Sequence, residues 1–307
     1  MPQRAWRWVP LAVSVAGAGV VSAQQVFHAG VELVQLPVVV TGRDGHVLHG
    51  LRGDDFQVFE DGRPQQVAYF CEGPPEALPL HLGLLLDGSE SMDQDLGAAA
   101  NAAVKFVTDL DEAADVTFVD FDTKVNVGKF QPDNYPRLFE RIRARKAGGG
   151  TSLYDAIAVF VERTLGEDGQ HVLLMYTDGG DSTSSLGYGK LQQLLRLGHV
   201  LVYAIGYMQN ALSTDRLTQE IKVSAIARET GGEAYFPQSP AEISKFYAAI
   251  LAELGSRYTL GYVPADARAD GKFHKIEVKL ARPDLKGARV RTRSGYIAAS
   301  PSAIGNR

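Results

Sequence analysis

The chain has 307 residues, 45% of them apolar and 22% charged, with a formal net charge of −5. That apolar share is enough for one substantial core and a smaller second one, which excludes a disordered chain and argues against a membrane protein. The acidic balance provides no electrostatic footprint for nucleic acid or an anionic membrane, so protein and glycan partners stay open.

Residues 1–23 read as a secretory leader. Arg4 and Arg7 precede an apolar stretch from Val9 to Val20, and Val21-Ser22-Ala23 offers the small residues that signal peptidase requires before Gln24. The stretch is short for a bilayer span and is broken by Pro10, so cleavage is expected rather than a retained anchor. The mature protein is then exported and periplasmic, cell-surface or secreted, with no later segment able to span a membrane. Cys71 is the sole cysteine, which rules out an intramolecular disulfide, and it reads as a small buried residue.

From 24 to 76 the pattern is of short strands and turns: Val38 to Thr41, the Asp44-Gly45 turn, Phe56 to Glu60, the Asp61-Gly62 turn, and Val67 to Phe70. Between 79 and 255 apolar strands alternate with amphipathic helices. The predicted strands are Leu80 to Leu86, Asp115 to Phe121 with a partner near Lys124 to Phe130, His171 to Thr177, Val200 to Gly206 and Glu233 to Phe236. Helices are predicted near Leu96 to Leu110, Ser152 to Leu165, Leu186 to Leu197, Asp215 to Thr230 and Pro240 to Leu254, the last capped by Ser239 with Glu242 completing a capping box. From 256 to 298 strands return, at Arg257 to Val263, Lys275 to Leu280 and Ala288 to Thr292, and 299–307 reads as a flexible tail.

Alternating strands and helices predict an α/β fold, a doubly wound and mostly parallel sheet with helices on both faces. Neither flanking segment can bury a face alone. They are therefore expected to pack together as one small β-sandwich into which the α/β part is inserted, with two separate small modules as the alternative.

Three loops carry the chemistry. Asp87-Gly88-Ser89-Glu90-Ser91 follows the first α/β strand, Thr151 ends a Gly148-Gly149-Gly150 turn, and Asp178 follows the strand ending at Thr177. Three hydroxyls and two carboxylates, with no His or Cys, suit one hard divalent cation: Mg²⁺ first, with Mn²⁺ or Ca²⁺ as alternatives. So little ligand charge keeps the ion electrophilic and able to accept an outside carboxylate. Each residue alone also has an ordinary reading. The Asp-Gly pairs make turns, Ser89 and Ser91 cap helices, and Thr151 caps the next one. Asp155 and Asp181 are placed to support the site or to cap, and Glu90 adds a charge of undecided effect.

The D-x-S-x-S loop, the later Thr in a Gly-rich turn and the later T-D-G resemble the metal-ion-dependent adhesion site of von Willebrand factor type A domains. That resemblance implies a Rossmann-like fold, with Ser89, Ser91 and Thr151 on the metal and Asp87 and Asp178 acting directly or through water. The flanks, Leu51 to Asp61 with Asp55-Phe56 and Glu60-Asp61-Gly62, and Tyr258 to Tyr262 with Gly295-Tyr296, are similar to a bacterial, acidobacterial-type von Willebrand factor A-related family.

Other signals carry less. Arg52-Gly53-Asp54 lies within the family-like turn, so its match to an integrin-recognition tripeptide is attributed to chance. His46 and His49 fit no zinc pattern. The dehalogenase-type aspartyl nucleophile wants a second Asp where Ser89 stands, and there is no G-x-S-x-G, Walker or H-E-x-x-H motif. The expectation is thus an adhesion-type module, not an enzyme, that takes a carboxylate from a protein ligand. A structural or assembly component of the cell envelope with a stabilising metal site is the second reading, and a metallo-hydrolase the third.

Overall fold

The computed structural model describes residues 33–298 apart from 74, 76, 77, 111, 208–212 and 267–269. The expected leader and tail lie outside the described residues. In chain order, β1 (Val34–Thr41), β2 (Phe56–Glu60), β3 (Arg63–Gln65) and β4 (Val67–Glu72) come first. The alternating part follows with β5 (Leu80–Asp87), α1 (Leu96–Asp109), β6 (Ala113–Phe121), β7 (Val125–Phe130), α2 (Tyr135–Ala144), α3 (Leu153–Thr164) and β8 (Gln170–Thr177). It continues with α4 (Tyr188–Leu197), β9 (Val200–Gly206), α5 (Ser213–Glu229), β10 (Ala234–Tyr235) and α6 (Pro240–Ser256). Then β11 (Tyr258–Tyr262), β12 (Phe273–Leu280), β13 (Arg289–Arg291) and β14 (Gly295–Ile297) close the described chain.

Six strands form the central sheet in the order β10-β9-β8-β5-β6-β7. All neighbours run parallel except β7, which returns antiparallel beside β6. The apolar run of β5 is explained by burial on both faces. Leu82, Leu84 and Leu86 pack with Phe106 of α1, Ile142 of α2 and Ile250 of α6. Leu85 points the other way, to Ile157 and Phe160 of α3, Leu191 of α4 and Val223 of α5. Each such side chain contributes about 1.5–3 kcal/mol by leaving water. Gly83 belongs to that second face, where a Cβ would meet the Phe160 ring at 2.4 Å, so the missing side chain lets α3 lie close to the sheet.

Strand β5 sits between β6 and β8. The helix after β5 joins one layer and the helix after β8 joins the other. A crevice therefore opens at the carboxyl ends of these two strands, the usual ligand position in open α/β sheets.

The flanking segments interleave. One antiparallel sheet is ordered β13-β1-β11-β4 and the other β14-β12-β2-β3, so each takes strands from both ends of the chain. Leu36, Val38, Phe56, Val58, Tyr258, Leu260, Ile276 and Val278 fill the space between them. Because both sheets are mixed in origin, two separate modules are ruled out. Cys71 lies half-buried on β4 rather than in this core.

Two local readings change. Helix α2 was not predicted, although Tyr135, Leu138, Phe139 and Ile142 make a regular i, i+3, i+4, i+7 stripe that packs on the core; the segment is only ten residues long and carries Pro136 in its first turn. At α6, Ser239 occupies the N-cap position without a side-chain cap bond, and Glu242 instead accepts the Gln238 N–H at 2.8 Å. Among the described residues no helix is long and apolar enough to cross a membrane.

The α/β layer and the sandwich meet through buried charges. Arg257 is the single residue between α6 and β11, and it donates to Gln170 at the start of β8. Arg291 of β13 donates to Glu253 of α6 at 2.6 Å and lies 3.4 Å from Glu233. Arg293 donates to the carbonyls of Arg196, Gly198 and Gly295, and burial pushes its guanidinium down to about 10. Removing one member of such a pair strands the other charge in a poor solvent. Arg291→Ala is therefore expected to lose about 3 kcal/mol or more of stability by urea denaturation. The double variant Arg291→Met, Glu253→Gln should recover part of that loss; an Arg291→Ala protein of wild-type stability would contradict the assignment.

Candidate metal centre

Asp87 is the last residue of β5 and is fully buried. Its Oδ1 accepts the Ser89 N–H at 2.9 Å, which turns the chain sharply after the strand. Its Oδ2 accepts the Thr177 hydroxyl at 2.6 Å from the end of the neighbouring strand β8. Thr177 in turn accepts the Gly179 N–H at 3.0 Å, which sets the start of the next loop. Sequence reasoning missed this role of Thr177, although its place immediately before Asp178 at a strand end was visible.

The buried Ser89 hydroxyl stands 3.1 Å from the Ser91 hydroxyl, and Ser91 and Glu90 face solvent. The glycine-rich loop is laced onto this turn: Gly148 donates to the Gly88 carbonyl at 2.9 Å, and Glu90 donates to the Gly149 carbonyl at 3.2 Å. Gly149 makes this possible with φ of +77°, a conformation that costs a side chain strain. Thr151 commits its backbone to the third loop, accepting from the Ser182 and Thr183 N–H groups and donating its own N–H to the Ser182 hydroxyl.

Asp178 Oδ1 accepts the Gly180 N–H at 2.9 Å. A Cβ on Gly180 would lie 3.1 Å from Asp178 Oδ1 and 3.9 Å from the Thr151 hydroxyl, so these two oxygens flank one point. Asp178 also acts on Asp87. Burial first, and the neighbouring Asp178 charge second, push Asp87 up to about 6, against the hydrogen bonds from Ser89 and Thr177. Among the described residues no Lys, Arg or His forms an ion pair with either carboxylate. The five residues picked from the sequence thus come from three loops onto one rim.

The capping readings find less support. Ser89 and Ser152 hold N-cap positions without side-chain cap bonds. The first N–H groups of α3 go elsewhere, that of Tyr154 to Asp181 at 3.1 Å and that of Asp155 to the Ser184 hydroxyl at 3.1 Å. Asp155 answers by accepting the Ser185 and Leu186 N–H groups. Asp155 and Asp181 therefore tether the loop after Asp178 to α3.

Arg145 is a second residue that the sequence reading passed over. Its guanidinium lies so close over Gly88 that a Cβ there would fall 2.3 Å from Nε. It donates to Asp122 at 2.6 Å and lies 3.8 Å from Asp120. Beside it opens a groove of about 470 Å³ lined by Asp120, Asn126, Arg141, Ala144, Arg145 and Lys146. The legible signal was charge: residues 135–146 hold Arg137, Arg141, Arg143, Arg145 and Lys146 against one acid, Glu140, in a chain that is acidic overall.

Among solved structures, the chain is similar to a von Willebrand factor type A protein from Catenulispora acidiphila, at 13% identity over 92% of this chain and 78% of that one, with a TM-score of 0.49. It is also similar to an aerotolerance-related membrane protein from Bacteroides fragilis, at 19% identity over 57% of this chain and 98% of that one, with a TM-score of 0.46. A third likeness is the pilus adhesin SpaC from Lactobacillus rhamnosus GG, at 9% identity over 80% of this chain and 48% of that one, with a TM-score of 0.47. No curated protein matches the sequence. The family model of the von Willebrand factor type A domain matches residues 81–249, more than half of the chain. The chain belongs to the von Willebrand factor type A domain family.

Proposed function

We propose that this protein is an exported, metal-dependent binding module. Its rim holds one hard divalent cation, Mg²⁺ in the first place, through Asp87, Ser89, Ser91, Thr151 and Asp178, and uses it to hold an acidic group of a protein partner. One observation carries this reading: a fully buried carboxylate, Asp87, faces a second one, Asp178, with no side-chain counter-charge among the described residues. Such a pair is costly in a poor solvent unless a proton or a cation joins it.

The donor set agrees with the ion. Neighbouring oxygens around an octahedral Mg²⁺ lie about 3 Å apart, and the Ser89 and Ser91 hydroxyls are 3.1 Å apart. When bound, the cation supplies a Lewis-acidic position open to an oxygen from outside. The chain's own residues shape access to it. Thr177 fixes the Asp87 carboxylate, the loop hydrogen bonds hold Ser89 and Thr151 on one rim, and the exposed Ser91 marks the solvent side. Beside the Gly88 turn, Arg141 and Arg145 are paired with Asp120 and Asp122, and the exposed Arg143 and Lys146 next to them are the cations that would draw an acidic partner toward the rim. An enzyme is not proposed, since the sequence carries no G-x-S-x-G, Walker or H-E-x-x-H motif.

Calorimetric titration of the full chain with Mg²⁺ should give one site, weakened about 100-fold or more by Asp178→Ala and about 10-fold by Thr177→Ala. An unchanged titration in Asp178→Ala would sink the metal assignment. Capture of envelope or extracellular proteins should vanish with EDTA and return with Mg²⁺. If the chelated protein retains the same partners while its melting temperature falls, the ion is structural and the binding role is lost.

The raised Asp87 pKa also sets a pH dependence. A folded-state value above the unfolded one favours folding in acid, and that contribution is lost as pH rises through about 6. The EDTA-treated protein should therefore gain stability between pH 7 and pH 5, while the stabilisation given by Mg²⁺ shrinks over the same window. Asp87→Asn should remove both trends in thermal melts.

A further inference from the structure

Helix α5 brings one more polar group to the rim, from an element that none of the three loops belongs to. The helix packs on the sheet through Val223 and Ile226, both fully buried on the face shared with α3 and α4. Residues four apart on a helix lie one above the other, so Gln219 stands one turn N-terminal to Val223 on the same core-facing side. The helical period calls for an apolar side chain at that place. A glutamine occupies it instead, level with the loop that carries Asp178.

Gly180 shows how close the groups come. A Cβ there would lie 3.1 Å from Asp178 Oδ1, 3.6 Å from Gln219 Nε2 and 3.9 Å from the Thr151 hydroxyl. A carboxylate, a carboxamide and a hydroxyl from three different segments thus surround one small space. It stays open because residue 180 has no side chain.

The Gln219 carboxamide is the informative member. Its oxygen is enclosed, yet it has no hydrogen-bond partner among the described residues. Because that oxygen shares a carbon with Nε2, it stands at the edge of the same space. The nearby charges do not reach it: Arg216 is spent on Glu220 at 2.9 Å, and Asp178 Oδ1 is held by the Gly180 N–H. An enclosed amide oxygen without a donor is a costly arrangement, and an aliphatic side chain would fill the same position without that cost. The missing partner is a donor next to a rim carboxylate. A hard cation supplies one, since Mg²⁺ keeps several of its waters and polarises them into strong donors.

We propose that Gln219 is a positioning residue of the rim, whose carboxamide oxygen accepts a hydrogen bond from a water carried by the cation beside Asp178. This rests on the reading of the rim as a Mg²⁺ site. The residue ties the ion to helix α5 as well as to the three loops. Being neutral, it does so without adding ligand charge, so the ion stays electrophilic toward an outside carboxylate.

The test is calorimetric Mg²⁺ titration of the full chain as wild type, Gln219→Leu and Gln219→Glu, paired with thermal melts of each in EDTA. Gln219→Leu is expected to weaken Mg²⁺ about 10-fold. Its melting temperature in EDTA should equal or exceed that of wild type, because leucine completes the apolar stripe of α5. Gln219→Glu keeps an acceptor oxygen and should bind Mg²⁺ at least as tightly as wild type. A residue that only packs would give the reverse pattern, a lower melting temperature in EDTA with unchanged Mg²⁺ affinity. The proposal is overturned by that pattern, by wild-type Mg²⁺ affinity in folded Gln219→Leu, or by equal weakening in Gln219→Glu. In each of those cases the rim reading stands so long as wild type binds Mg²⁺ and Asp178→Ala does not; a wild-type chain that takes up no Mg²⁺ removes both.

Discussion

A single hydrogen bond joins the ends of the two central strands, from the Thr177 hydroxyl to the carboxylate of Asp87 at 2.6 Å. Both residues are fully buried, so the bond forms in a poor solvent where its loss would leave a charge without a donor. It sets one carboxylate oxygen at the end of β8 while the other is held by Ser89, and the direction of the first loop follows. Since Thr177 also receives the Gly179 N–H, the same atom starts the loop that carries Asp178. The glycine-rich segment closes the rim by bonding to Gly88 and Glu90.

That constraint has an electrostatic consequence. The fold brings Asp178 up to a carboxylate it has already buried, and it supplies no cation side chain in return among the described residues. Arg145, the nearest arginine to the turn, is spent on Asp122 and lies over Gly88 instead. A rim of oxygens, with the exposed Arg143 and Lys146 nearby, is the physical basis for the proposed ion and for an acidic partner. The two halves of the proposal have different foundations: the first rests on buried like charges, the second on surface charge next to them.

The sandwich is more than a spacer. Helix α6 packs against the sheet through Tyr247 and Ile250 and enters β11 after one residue. Glu253 on that helix is bound to Arg291 of β13, and Glu229 at the end of α5 accepts from Arg196 and from Ser294. Displacement of α6 would therefore strain buried ion pairs at the joint instead of sliding over an apolar surface. Such joints favour one relative placement, because a slipped register leaves charges unpaired.

Much of this was legible in the residues. The both-faced apolar run of β5, the alternation of Ile276 and Val278 on β12, and the turn signals at Asp61-Gly62 reflect local periodicities of strands, so fold class and the paired flanks could be read directly. Of the five residues picked from the sequence, Asp87, Ser89, Ser91 and Asp178 were visible because they stand at or after strand ends, and Thr151 because it closes a glycine-rich turn just before α3. Helix α2 did carry a legible stripe, Tyr135, Leu138, Phe139 and Ile142, but in only ten residues with a proline in the first turn, and at α6 the capping-box pattern is used differently, with Glu242 accepting from Gln238 and no side-chain bond from Ser239. Sequence alone determined which segments are strands or helices and which oxygen-bearing side chains stand at their ends, for these depend on neighbours along the chain. Only the tertiary structure decided that Thr177 anchors Asp87, that Asp155 and Asp181 serve as tethers, that Arg145 covers Gly88, and that Gln219 of α5 reaches the space beside Asp178 and Thr151. Those pairings depend on strand register and loop closure across the fold, which no local pattern encodes.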